Sequence, residues 1–190
     1  MTHRPTTGVQ ADLARRLRDL FLATDEGRGQ IALFAAIPDA VPDVWADIYW
    51  IPERLFALTS PVTHVSVADF AWTLDVPFGR DGDRLFALTA RDVLAAPGTW
   101  LAHHARIEAA DTSYPIALYR YRGRTVVLDG YHRLARATML GIPTLPSRMV
   151  EEADLPGIMI QDGFLGELNR LRNVTPHLLA LLRSVARTLS

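Results

Sequence analysis

The chain has 190 residues, 49% hydrophobic and 22% charged, with 21 acids against 20 basic residues for a net charge of −1. That composition supports a folded core and argues against a disordered chain or a dedicated nucleic-acid binder. Cysteine is absent and all 20 basic residues are arginine, which excludes disulfides, cysteine zinc sites, thiol nucleophiles, a Walker lysine, a Schiff-base lysine and a kinase strand lysine.

The first residues, MTHRPTTGVQADLARR, carry no signal-like apolar stretch, and no apolar run reaches membrane-spanning length, so a cytoplasmic protein is expected. Residues 10–23 place Leu13, Leu17, Leu20 and Phe21 at helical spacing, which predicts an amphipathic helix ended by DEGRG at 25–29. IALFAAI (31–37) reads equally as helix or buried strand, and the proline-rich stretch 38–61 as short helices and turns. RLFALT occurs at 54–59 and again at 84–89, but the flanks differ, so the identity is read as chance. FAWTLDVPFGRDGDRLF (70–86) predicts an extended segment and a loop on Gly79 and Asp81-Gly82. Thr89-x-x-Asp92 is a capping-box pattern opening a short helix, and 99–111 reads as a second helix. IALYRY and TVVLDG predict strands joined at Arg122-Gly123-Arg124, followed by a helix over 131–140 with Gly141 as its C-cap. IPTLPSRMV predicts a returning strand kept near an edge by Pro143 and Pro146, and 151–190 reads as turns and helices.

The near-neutral total hides an asymmetry. Residues 37–83 hold eight acids and two arginines, net −6, whereas 115–148 hold six arginines (Arg120, Arg122, Arg124, Arg133, Arg136, Arg148) and Asp129, net +5. The basic block either attracts an anionic ligand or faces the acidic block in the fold. At its centre lies VVLDGYHRLARATMLG (126–141). Asp129 ends a strand, Gly130 permits a tight turn, and the following helix presents free N–H groups and the positive end of its dipole. His132 and Arg133 stand in that first turn, where cations are unfavourable unless an anion is present, and Arg136 leans back towards the same place. The alternative is that Asp129 caps the helix while His132 and Arg133 are solvated or paired with acids elsewhere.

YPIALYRYRGRTVVLDGYHRLARATMLGIPTLPSRMV (114–150) resembles the ParB/sulfiredoxin fold superfamily, also labelled ParB-like nuclease, in its small Asp-Gly-x-His-Arg variant, and the likeness covers about residues 64–150. It implies an α+β fold with a nucleotide-binding core (61–150); the N-terminal helical region (1–60) and the C-terminal helical extension (151–190) are additions without a counterpart in that superfamily. It also implies that Gly130, Tyr131, His132, Arg133 and Arg136 hold nucleotide phosphates, with ATP or ADP first, CTP as an alternative, and Mg²⁺ accompanying them. Tyr131 stands where sulfiredoxin chemistry needs cysteine, so that activity is excluded. The residues after 150 show no helix-turn-helix, so a full partition protein is not expected. The serine kinases of the superfamily use this turn for phosphates, but their catalytic glutamate has no clear counterpart here.

Asp129, His132 and His103 are the candidate catalytic residues: Asp129 to activate a hydroxyl or position Mg²⁺, the histidines as acid or base. The alternatives are that Asp129 shapes the turn and His103 is a packed helix residue. Arg106 stands near the same site, and Asp111 either joins it or caps a turn. Trp72 reads either as a base-stacking ring or as core. Glu53, Glu108 and the acidic block are further sources of a base, and no His/Asp/Glu spacing marks a dedicated metal site. The resulting expectation is a nucleotide-binding enzyme that transfers or hydrolyses phosphate on a small hydroxylated or amino-acid-like substrate. The alternatives are a nucleotide- or nucleic-acid-binding module without turnover, or a nuclease. Residues 1–60 would form a lid or the surface of a homodimer.

Overall fold

The structure is a computed structural model and describes residues 7–172, 174–175 and 177–190. In chain order its helices and strands are α1 (Thr7–Ala23), α2 (Asp25–Ala36), α3 (Pro52–Phe56), β1 (Val62–Ser66), β2 (Gly79–Asp81), β3 (Arg84–Leu88), α4 (Ala90–Ala95), α5 (Leu101–Glu108), β4 (Ile116–Tyr121), β5 (Arg124–Asp129), α6 (Tyr131–Leu140), β6 (Thr144–Val150), α7 (Leu155–Ile158), α8 (Gly163–Arg172) and α9 (Leu178–Leu189). Short 3₁₀ segments add Val41–Asp43 and Val67–Asp75. The class is α+β. Among the described residues no helix is long and apolar enough to cross a membrane.

The chain divides into two compact units. One comprises residues up to 42 with 47–49 and 159–190; the other comprises 43–46 and 50–158. In the first, helices from the two parts of the chain share a core: Phe21 of α1, Phe34 of α2 and Phe164 of α8 are buried, with Phe21 and Phe164 centroids 5.1 Å apart. DEGRG does not simply end α1. Thr24 accepts the Gly27 N–H at 3.0 Å and caps α2, whose first turn carries Asp25 and Glu26, so these acids sit on the favourable end of a new dipole.

The second unit is built on a four-stranded sheet in the order β1-β6-β4-β5, with β4 and β6 parallel and the other pairs antiparallel. One apolar cluster joins Phe70 and Leu74 of the 3₁₀ segment, Leu88, Val93, Ile107, Ile116 and Leu118, Val127, Leu134 and Leu145. The β4–β5 hairpin closes on Arg122 and Gly123, both at positive φ (50° and 77°), the two-residue turn whose twist matches the strands. The capping box at α4 is present in both halves: Asp92 N–H to Thr89 Oγ1 at 3.0 Å, and Thr89 N–H to Asp92 Oδ2 at 3.0 Å.

Two local expectations change. FAWTLD is a 3₁₀ turn rather than an extended segment, because Phe70 and Leu74 both turn into the core. β6 is an interior strand, not an edge. Pro146 is tolerated because β4 begins only opposite Ser147, which leaves that stretch of β6 unpaired on the β4 side.

Candidate functional site

The second unit contains a cavity of about 1000 Å³. Its walls come from the end of the 3₁₀ segment (Thr73, Val76), the β2–β3 hairpin (Phe78, Gly79, Arg80, Leu88), α4 (Ala90, Val93), α5 (His103, Arg106, Ile107) with its following loop (Asp111, Tyr114), and the turn Asp129–Arg133. The structure therefore brings together Asp129, Gly130, Tyr131, His132, Arg133, His103, Arg106 and Asp111, whereas Arg136, Trp72, Glu53 and Glu108 do not line the cavity.

The turn begins with a bulge: Ala117 pairs with Asp129 but Leu118 with Val127, so Leu128 is the extra residue and the strand bends as it reaches the cavity. Gly130 follows at φ 111°, and a Cβ there would lie 2.6 Å from Ile116 Cγ2 and 3.0 Å from Arg133 Nε. A glycine is required by the backbone and by the packing together. No side chain caps the N-terminus of α6, so Asp129 is not its cap.

Asp129 instead pairs with Arg133, one turn further on. Arg133 is 13% exposed at its side chain and Asp129 33%, so the pair is largely shielded from water. Arg133 thus has an anion of its own chain, supplied by the turn itself and not by an acid elsewhere. Its Nε is buried without a hydrogen-bond partner, and its guanidinium lies over the Tyr114 ring, 5.3 Å from the centroid. Tyr131 is a packed ring. Its hydroxyl donates to the Val127 carbonyl at 3.1 Å, its ring meets Phe78 at 4.6 Å, and burial pushes its phenol pKa up, so it stays protonated.

His132 faces the cavity with a lowered pKa. Loss of water against the wall is the main cause, reinforced by the charge of Arg106 and opposed by Asp129. It is the neutral imidazole of the site at pH 7. His103 is differently employed. Arg106 Nη2 lies 2.9 Å from its Nδ1, and the Arg80 carbonyl 2.8 Å from its Nε2. A guanidinium only donates, so Nδ1 accepts and Nε2–H donates. Nε2 ties the β2 hairpin to α5 and Nδ1 is taken by Arg106 of the same helix, so the ring is a strut rather than a free acid or base.

The basic block does not form one patch. Arg133 reaches the cavity, but Arg136 donates to the Ala110 carbonyl at 2.7 Å, and Arg148 donates to the carbonyls of Ser60 (3.1 Å) and Phe56 (3.4 Å). Arg122 pairs with Asp43 of the acidic block at 3.4 Å, and Arg124 covers Trp72, 4.8 Å from its ring centroid. Trp72 lies outside the cavity wall. Glu108 pairs with His104 at 3.4 Å, and Asp75 pairs with Arg91, which holds its carboxyl below the usual range. Asp111 is held low by the Ser113 hydroxyl and N–H in a local turn, and lines the cavity.

No family model matches the chain, and neither does any curated protein or solved structure.

Arg80 and the rings of Phe56 and Phe78 are among the wall residues that sequence reading missed. Arg80 sits inside the acidic block, in GRDGD, so no linear charge pattern marks it. It reaches the cavity because the hairpin folds onto α5. Counted over arginines and carboxylates alone, Arg80, Arg106 and Arg133 against Asp111 and Asp129 leave the wall at +1. Apolar residues (Val76, Leu88, Val93, Ile107) fill the rest.

Proposed function

We propose that the second unit binds a nucleotide and transfers or hydrolyses its terminal phosphate, with ATP or ADP as first choice, CTP as the alternative, and a small hydroxylated or amino-acid-like molecule as acceptor. One observation carries the reading: the uncapped N-terminus of α6 and the cations Arg80, Arg106 and Arg133 converge on a single cavity of about 1000 Å³, with His132 among them. A helix N-terminus with arginines around it is a physical anion site, and the cavity size suits a small ligand. The resemblance of residues 64–150 to the ParB/sulfiredoxin superfamily points the same way, and a cytoplasmic setting belongs to the same reading.

The roles follow from the side chains. Arg106 and Arg80 meet phosphate oxygens. Arg133 exchanges Asp129 for phosphate, which also gives its unpaired Nε a reason to reorient. Asp129, once released, orients the acceptor hydroxyl, and neutral His132 takes the proton from that hydroxyl or from water. Among the described residues no group of three or more His, Asp or Glu could hold a metal. The cavity's two carboxylates are engaged by Ser113 and Arg133. These donors do not make a Mg²⁺ site by themselves, so the reading rests on arginine, histidine and backbone.

Binding without turnover is the second reading, favoured by the engagement of Asp129 by Arg133 and of both His103 nitrogens. Thermal-shift and calorimetric titrations with ATP, ADP, CTP and GTP, with and without Mg²⁺, test the first step. A nucleotide is expected to stabilise the wild type, and Arg106→Ala to weaken it about tenfold, the loss of one charge-assisted hydrogen bond. If none of the four nucleotides shifts the wild type, the reading fails. Phosphate release measured with a panel of amino acids then separates turnover from binding.

A further inference from the structure

Phe56 and Tyr114 stand at the cavity wall, 43% and 42% exposed, with their rings edge to face at 5.9 Å. Other large apolar side chains are more than a third exposed, Leu101 and Leu140 among them, but these two are the ones that line the cavity. A single exposed ring is ordinary; two that touch, beside a guanidinium, form a surface. Arg133 lies over the Tyr114 ring, so the group that meets phosphate and the group that meets a flat ring are contiguous.

Both rings are also held. Asp111 organises the loop that carries Tyr114, accepting from Ser113 N–H and Oγ, while the Asp111 carbonyl accepts the Tyr114 N–H at 3.2 Å. Arg136 fixes the same loop at Ala110, and Arg148 holds the Phe56 carbonyl at the end of α3. Two arginines of the basic block thus serve the aromatic pair by fixing the backbone beneath it. Rings fixed in advance cost less to order when a ligand arrives.

We propose that Phe56 and Tyr114 form the aromatic platform for the base of the ligand, one ring stacking on the base and the other, perpendicular to it, bordering the stack, so that the site takes a phosphate ester bearing a planar ring and reads the face of that ring rather than the groups on its edge. This rests on the nucleotide reading above and adds where the base lies. Stacking on a ring face is tolerant of base identity because every base has one. Purines are therefore expected to bind alike, with the smaller ring of CTP weaker.

Calorimetry on the full chain with ATP, GTP, CTP and inorganic tripolyphosphate tests it. ATP and GTP are expected to bind within threefold of each other and about tenfold tighter than tripolyphosphate, the size of one base–aromatic stack. Phe56→Ala, at an exposed position, should remove most of that advantage and leave tripolyphosphate binding unchanged. Tyr114→Leu provides the second variant. Tripolyphosphate binding as tightly as ATP, or an ATP advantage that survives both substitutions, overturns the platform and leaves the phosphate site standing. Failure of all four ligands to bind overturns both. An ATP preference over GTP of tenfold or more also overturns face-only reading, since it requires edge contacts.

Discussion

At Gly130 a positive φ and a Cβ clash fall on one residue. Gly130→Ala must adopt a conformation that costs an L residue about 1–2 kcal/mol and displace Ile116 or Arg133, for a further ~1–3 kcal/mol. A loss of about 3 kcal/mol in urea unfolding is the expected result. Asp129 and Arg133 are coupled as closely. Either alone leaves a partly buried charge without its partner, so Asp129→Asn and Arg133→Gln should each destabilise. The double variant should lose less than the sum, with an interaction energy of about 1–3 kcal/mol in a double-mutant cycle. His132 sets the pH dependence of the same turn. Its folded pKa lies below its unfolded one, so the unfolded chain takes up more protons as pH falls through the ordinary histidine range near 6.5. The wild type should lose stability from about pH 7 down to the lowered folded value and level off below it, and His132→Gln should lose that slope; denaturant midpoints between pH 8 and 5 check it. A bound phosphate reverses the sign locally, since it favours the protonated imidazole.

Among the elements, α4 shows how local chemistry and tertiary position combine. Its capping box is written in Thr89 and Asp92 and forms as written. Thr89→Ala is expected to cost about 1 kcal/mol in thermal or chemical unfolding, the usual worth of an N-cap. The two RLFALT copies make the opposite point. The first ends helix α3; the second is strand β3 running into the α4 cap. Six identical residues take two structures because Pro52 starts a helix turn before one, whereas a glycine turn folds the other back against β2. Local preference is a weak prior that neighbours override. His103 acts at this scale too: it ties α5 to the β2 hairpin through the Arg80 carbonyl. His103→Ala should raise hydrogen exchange in residues 79–88 while leaving β4, β5 and α6 protected, since their core does not include it.

At the scale of the molecule, helices α1 and α2 belong to one unit with α8 and α9 and share a core with them. A chain stopped after residue 158 should therefore lose the helical signal of α1 and α2 along with that of the deleted segment. Circular dichroism of the truncated chain would show a helix loss larger than the missing residues account for. What residues 126–141 and their flanks dictate by themselves is local: the hairpin, the glycine turn, the helix with its Gly141 stop, and the missing lysine and cysteine chemistry. These are legible because periodicity, turn residues and caps act over a few positions. The cavity is not legible that way. Arg80, Arg106, Phe56 and Tyr114 reach it from four separate stretches, while four of the six arginines in the basic block spend their charge on backbone carbonyls, Asp43 and Trp72. Which cation meets a ligand and which one braces a loop depends on distances that only the folded sheet and its helices set, since side-chain electrostatics act through space and not along the chain.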